Sequence, residues 1–169
     1  NPIKKNFKQD NSYDRCRHLL RRYDELASEG YSDFRENDDK LDNSQILLMS
    51  ELTKAILRNI NYEDVAKIRM KNFITLHSFF SNYNQISIAV EDIKCPLVYP
   101  YLTNKGKELN KRLIANKVYV ATYWPNIDDW CNSDDFEILL AENCIPLPID
   151  QRYNSTDMNI IINVIENGK

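Results

Sequence analysis

Apolar side chains recur at helical spacing through the first half of the chain. Leu19, Leu20, Tyr23, Leu26 and Ala27 follow Ser12, a residue suited to a helix N-cap, and the pattern stops at Gly30, which suits a left-handed helix end. The spacing predicts one amphipathic helix. Asp33, Glu36, Asp38, Asp39 and Asp42 then outnumber Arg35 and Lys40 in a stretch poor in apolar residues, which reads as a solvated loop. Ser44 heads a second helix with Ile46, Met49, Leu52, Ile56, Leu57 and Ile60 on one face. Leu47, Leu48 and Ala55 widen that face, so burial on several sides is expected. Asn61 and Asp64 restart the chain. Val65, Ile68, Phe73, Leu76, Phe79, Phe80 and Tyr83 predict a long third helix that forms a hairpin with the second.

Beyond Asn84 the texture changes to short β-branched or aromatic runs at 86–90, 97–102, 118–124 and 144–147, which have strand length and composition. Helices are predicted over 105–116, capped by Asn104 and anchored by Leu109 and Leu113, and over 133–142, carrying Phe136, Leu139 and Leu140. A last helix follows Ser155, with Met158, Ile161, Ile162 and Ile165 inward. Pro96, Pro100, Pro146 and Pro148 stand in or beside strands, where a missing N–H is tolerated only at edges, ends and bulges. The fold class is therefore α+β: a small, irregular, mostly antiparallel sheet covered by helices and preceded by a long helical hairpin.

Composition narrows the picture further. With 169 residues, 43% of them hydrophobic, one domain over 1–169 is expected, helical over 1–84 and sheet-and-helix over 85–169. A net charge of -3, from 25 acids against 22 bases, offers no positive field for nucleic acid or an anionic membrane. No apolar run approaches the roughly 20 residues that span a bilayer, and the start has no apolar signal core, so a cytoplasmic protein is expected. The first residue is Asn rather than Met, which suggests a piece of a longer polypeptide, or processing that the sequence does not explain. Gly30, Gly106 and Gly168 lie too far apart to build a glycine-rich phosphate loop. Cys16, Cys95, Cys131 and Cys144 form no C-x-x-C pair, and only His18 and His77 could supplement them. Buried thiols are expected, and no metal site.

Candidate chemistry is sparse. His77, beside Leu76 and near Phe80, reads as a packed histidine ahead of a catalytic one. His18 stands among Arg15, Arg17, Arg21 and Arg22, a cluster that is either an anion site or a solvated face paired with nearby acids. Asp128, Asp129, Asp134 and Asp135 fit a loop and a helix start, and Asn154-Ser155-Thr156 a helix start. Two segments remain, Tyr123-Trp124-Pro125-Asn126 with Trp130 beyond it, and 145–153. Both place aromatic and polar groups at strand ends, where they either line a ligand pocket or fill the end of the sheet. Tyr119, Ala121 and Tyr123 alternate with Val118, Val120 and Thr122, so the strand end delivers rings that can stack on a sugar or base. Substrate contacts are expected at Tyr123, Trp124 and Asn126, and secondarily at Arg152 and Tyr153. No catalytic residue is assigned.

Met49-Ser50-Glu51-Leu52, Arg69 with Asn72-Phe73, Tyr123-Trp124-Pro125 and Ile145-Pro146-Leu147-Pro148 before Asp157-Met158 together resemble the C-terminal part of DegT-like aminotransferases. These are fold-type-I pyridoxal-phosphate enzymes, many of which aminate nucleotide-linked keto-sugars. The resemblance runs from about the first helix to the last. It implies a small domain that closes over a cofactor held mainly by a larger domain of the same polypeptide, in a homodimer, with 118–124 ending at the mouth of the active site. The family's Schiff-base lysine and its pyridine-pairing acid lie upstream of the segment resembled. Where the family reads Asn-Tyr-Arg before Met-Ser-Glu-Leu, this chain has Ile46-Leu47-Leu48, so the asparagine contact to the neighbouring subunit's cofactor phosphate is absent. The implied cofactor is pyridoxal phosphate in the full-length parent, with none bound to this chain alone. The alternative is a noncatalytic interaction or dimerisation module of the same fold. Mixing the purified chain with pyridoxal phosphate and trapping with borohydride is expected to yield no stoichiometric adduct at one lysine.

Overall fold

Short polar side chains set several of the helix starts, and not always at the expected serine. A computed structural model describes residues 7–26, 28–42 and 44–167. The chain forms two compact units, Asn1–Ile60 and Asn61–Lys169. Among the described residues the fold is α+β, with seven α-helices and one two-stranded antiparallel sheet. No described helix is long and apolar enough to cross a membrane.

In the first unit a 3-10 turn, Tyr13–Cys16, runs into α1 (Arg17–Asp24), which stops well before Gly30. Ser12 gives no side-chain cap; its buried hydroxyl meets those of Ser50 and Thr53. Gly30 adopts φ -80 rather than a left-handed stop and begins the next helix. A glycine is needed there for space, since a Cβ would lie 2.6 Å from the carbonyl oxygen of His18. The acidic stretch expected as a loop is α2 (Tyr31–Asp39). The reason is Asp33, which is buried and accepts from Arg17 Nη2 at 2.7 Å and Arg21 Nη1 at 3.1 Å. The arginine cluster thus pairs with acids, including Arg15 with Asp10 and Arg21 with Glu25. These partners hold the Asp33 carboxyl below its ordinary pKa, Arg17 being the larger cause.

The second expected helix also changes. Residues 44–49 stay out of helix because the segment pairs backbone to backbone with 8–10: Leu48 N–H donates to Lys8 O at 2.9 Å and Asp10 N–H to Leu48 O at 2.9 Å. Ser50, not Ser44, caps α3 (Glu51–Arg58), accepting from Thr53 N–H at 3.1 Å. The expected burial of this helix does not hold, since Leu52 is 41% exposed and Ile46, Met49 and Ile56 are exposed as well. Among the described residues every buried apolar side chain belongs to the second unit. Leu19, Leu20, Tyr23 and Leu26 of the first expected face are exposed too. Ala27, assigned to that face, and residues 1–6 lie outside the described residues.

The second unit opens as expected with α4 (Tyr62–Phe80), capped by Asn61, whose side chain accepts from Asp64 N–H. α3 closes the first unit and α4 opens the second. Phe73, Leu76 and Phe80 of α4 pack with Tyr99 and Tyr101 of β1 (Val98–Leu102). Phe73 meets Tyr99 edge to face at 5.1 Å, and Phe80 lies 5.0 Å from Tyr101. His77 is packed against this cluster, stacked on Phe73 at 6.0 Å with its Nδ1 3.4 Å from the Tyr99 hydroxyl. α5 (Gly106–Ala115) adds Leu109 and Leu113. α6 (Phe136–Asn143) leads into β2 (Cys144–Pro148), and α7 (Ser155–Glu166) closes the core with Met158, Ile161, Ile162 and Ile165. Asn154 and Asp157 form a capping box at the start of α7. The expected thiol burial is not seen: Cys95 is exposed and Cys16, Cys131 and Cys144 are half-buried.

Prolines explain why two of the expected strands do not form. β1 and β2 pair with Tyr99 opposite Leu147 and Pro100 opposite Pro146. In an antiparallel ladder alternate residues turn their N–H and C=O outward, and Pro100 does so, its carbonyl accepting from Asn84 Nδ2 at 2.8 Å. A proline at an outward position offers no donor to a third strand. On the β1 side Asn84 takes that strand's place, its Oδ1 accepting from Leu102 N–H at 3.0 Å and Ile86 N–H at 3.1 Å. Residues 86–90 are therefore irregular and end in a 3-10 turn, Val90–Asp92. On the β2 side Pro146 and Pro148 present no N–H, and 118–124 runs past unpaired. Asn104 does not cap α5; Asn143 Oδ1 does so from a distance by accepting from Gly106 N–H at 3.1 Å.

Gly106 lies so close to the start of β2 that a Cβ would stand 2.3 Å from Asn143 Cα. Gly106→Ala is therefore expected to cost about 1–3 kcal/mol, the range for overpacking, in a urea or thermal melt. Leu113→Ala, at a fully buried site, should cost about 2–5 kcal/mol. Leu52→Ala should cost under about 1 kcal/mol, and equal losses at Leu113 and Leu52 would contradict the burial pattern.

Candidate functional site

Asn72 has the chemistry to organise the turn after β2. It lies on the buried face of α4, where an unpaired amide would be costly, and its Nδ2 donates to three carbonyls of 149–153. The acceptors are Ile149 O at 3.2 Å, Asp150 O at 3.4 Å and Tyr153 O at 3.0 Å. The turn closes on itself through Tyr153 N–H to Asp150 O at 3.1 Å and Arg152 N–H to Asp150 Oδ1 at 3.0 Å. With the capping box of α7 immediately after, the path from β2 to α7 is held at both ends.

That turn forms one side of a groove of about 380 Å³. Pro146 and Pro148 of β2, Leu97 and Val98, and Tyr119 and Ala121 of the unpaired segment line it as well. Arg69 of α4, Asp150, Gln151, Arg152 and Tyr153 supply its polar groups. Arg152 forms a fork with Asp150, donating from Nε to Oδ1 at 2.8 Å and from Nη2 to Oδ2 at 2.8 Å, and its guanidinium carbon stands 5.7 Å from the centre of the Tyr153 ring. Asp150 is held below the ordinary carboxylate pKa by Arg152 first, with Arg69 a smaller contributor. The same pairing raises the pKa of Arg152. Arg69 donates from Nε to Gln151 Oε1 at 3.0 Å and from Nη1 to Pro96 O at 3.3 Å.

Of the residues expected to contact a substrate, Arg152 and Tyr153 line this groove and Tyr123, Trp124 and Asn126 do not. Tyr123 and Trp124 follow on the same segment, with ring centres 5.7 Å apart. Tyr123 is 36% and Trp124 62% exposed, and Trp124 adopts φ 53, a left-handed conformation uncommon for a large side chain. Asn126 is exposed in the turn that follows, and its carbonyl accepts from Asp129 N–H at 3.1 Å. Sequence reading passed over Arg69, Asn72, Tyr119 and Gln151 as site residues. The alternation of Tyr119 and Ala121 with Tyr123 carried a signal for Tyr119. The spacing of Arg69 and Asn72 on one helix carried one for those two.

Among the described residues no group of three or more His, Cys, Asp or Glu is placed to hold a metal ion. Asp128 and Asp129 lie in a 3-10 turn, and Asp135 stands at the start of α6, accepting from Asn132 N–H at 2.8 Å. No family model matches the chain, and neither a curated protein nor a solved structure matches it.

Asn72→Leu is expected to leave buried carbonyls unpaired and to cost about 1–3 kcal/mol, with the largest amide shift changes at 149–153 in an NMR spectrum. Uniform shifts over the whole second unit would instead mark a general core defect. For Asp150 the folded pKa is depressed, so its contribution to stability is present above the unfolded value near 3.9 and is lost as pH falls through the folded value. A carboxyl titration by NMR should show its midpoint below about 3.9, and Asp150→Asn should remove that acid-dependent part of the stability.

Proposed function

We propose that this chain is the C-terminal domain of a DegT-like aminotransferase and supplies ligand contacts rather than the bond-making group. The observation that carries the reading is that the segment 145–153, whose Ile145-Pro146-Leu147-Pro148 is one of several motifs that together make the resemblance, lines the groove with guanidinium, phenol and proline rings. Such a surface suits an anionic ligand with a ring to stack, and the resemblance makes a nucleotide-linked keto-sugar the substrate class. Arg152 and Tyr153 contact the ligand within the groove. Tyr123, Trp124 and Asn126 extend the contact surface along the same segment as Tyr119.

Pyridoxal phosphate is the cofactor the family implies, and the groove does not fit it as an imine site. No lysine lines the groove, and its carboxylate is already committed to Arg152. In the parent protein the cofactor belongs with the larger domain of the same polypeptide, in a cytoplasmic homodimer. A second reading, a noncatalytic interaction module, is favoured by one feature: Leu52 and Ile56 of α3 and the four apolar side chains of 46–49 before it are exposed.

Adding UDP-glucose to the chain should shift amide signals around 150–153, and Trp124→Ala should weaken that binding roughly threefold or more with the melting temperature nearly unchanged. An unfolded Trp124→Ala variant would assign the residue to the core. The absence of any shift around the groove with the wild-type chain would favour the interaction module.

A further inference from the structure

The groove holds two guanidinium groups whose surroundings differ. Arg152 spends its fork on both oxygens of Asp150, so its charge is compensated where it stands. Arg69 is held by neutral acceptors, the side-chain amide oxygen of Gln151 and the backbone carbonyl of Pro96. None of the ion pairs among the described residues includes it. A guanidinium has five N–H donors, so after these two bonds Arg69 keeps donors on both terminal nitrogens together with its positive charge. Holding a cation by carbonyl oxygens fixes its orientation without neutralising it, which is how an oxyanion donor is prepared in advance.

We propose that Arg69, and not Arg152, receives the oxyanion of the ligand that enters this groove, its chemical class being a phosphate or pyrophosphate group. The assignment rests on the groove being a ligand site and adds the residue that sets its charge preference. An oxyanion at Arg152 would displace or repel the Asp150 carboxylate already paired there, whereas Arg69 feels Asp150 only through space and has no carboxylate bonded to it. Gln151 is then a positioning residue, since it orients Arg69 without taking its charge.

The test uses the 169-residue chain with two probes, inorganic pyrophosphate and UDP-glucose, followed by NMR. With the wild-type chain, pyrophosphate should shift the side-chain Nε signal of Arg69 and leave that of Arg152 nearly in place, a readout that needs no variant. Arg69→Gln should weaken pyrophosphate binding roughly tenfold or more, and Arg152→Gln by less than about threefold. Arg69→Lys, which keeps the charge, should bind better than Arg69→Gln. The opposite order, with Arg152→Gln losing the probe and Arg69→Gln keeping it, would overturn the assignment. UDP-glucose binding that is equal in wild type and Arg69→Gln removes the role of Arg69 and leaves the groove reading intact. Pyrophosphate binding at Arg69 with no binding of UDP-glucose keeps the role of Arg69 and removes the nucleotide-sugar reading. No shift by either probe overturns both.

Discussion

The amide of Asn72 is the interaction on which the second unit's groove depends. Packing alone would bury α4 against β1 and α7 and leave the turn between β2 and α7 free to choose its path. The turn also brings carbonyls on its inner side that need donors, and Asn72 supplies them from the buried face of α4. The turn is thereby tied to a helix whose inner face is buried in the core, and that tie sets where Asp150, Gln151 and Arg152 stand. An apolar side chain of similar size would fill the space and lose the connection.

The groove beside that turn follows from the prolines of the sheet. With Pro146 and Pro148 offering no N–H along the outer side of β2, the segment 118–124 passes at a distance instead of joining as a strand. The gap between them is the groove. On the other side of the sheet Asn84 satisfies β1 with one side chain, so the sheet is closed there. A two-stranded sheet is marginal by itself, and here the helices carry it: Tyr99 and Leu147 are wholly buried between α4, α5 and α7.

Much of this was legible from residue pattern. The extent of α4, the places of α5, α6 and α7, and both strands that form follow from periodicity and from capping residues such as Asn61 and Asn154. What escaped depends on partners distant in sequence. The acidic stretch of α2 looks solvated until Arg17 and Arg21 are brought to Asp33, and 44–49 looks helical until the backbone of 8–10 is beside it. Residues 86–90 and 118–124 have strand composition, but composition does not reveal that the edges they would join lack donors. At the candidate site, Arg152 and Tyr153 could be read from sequence. The difference between an arginine bonded to a carboxylate and one held by neutral acceptors could not, because it is made by Pro96, Asp150 and Gln151 in space.

Both tryptophans of the chain stand in the irregular stretch between α5 and α6, 62% exposed at Trp124 and 72% at Trp130, while the rings inside the core are phenylalanines and tyrosines. Intrinsic emission excited at the red edge of the absorption band therefore reports the solvent around one surface segment and says little about the packed interior. Red-shifted light from a folded sample is the expected baseline rather than a sign of damage. Loss of the core could proceed with only a small change in that light, so circular dichroism or tyrosine emission is the signal that follows it.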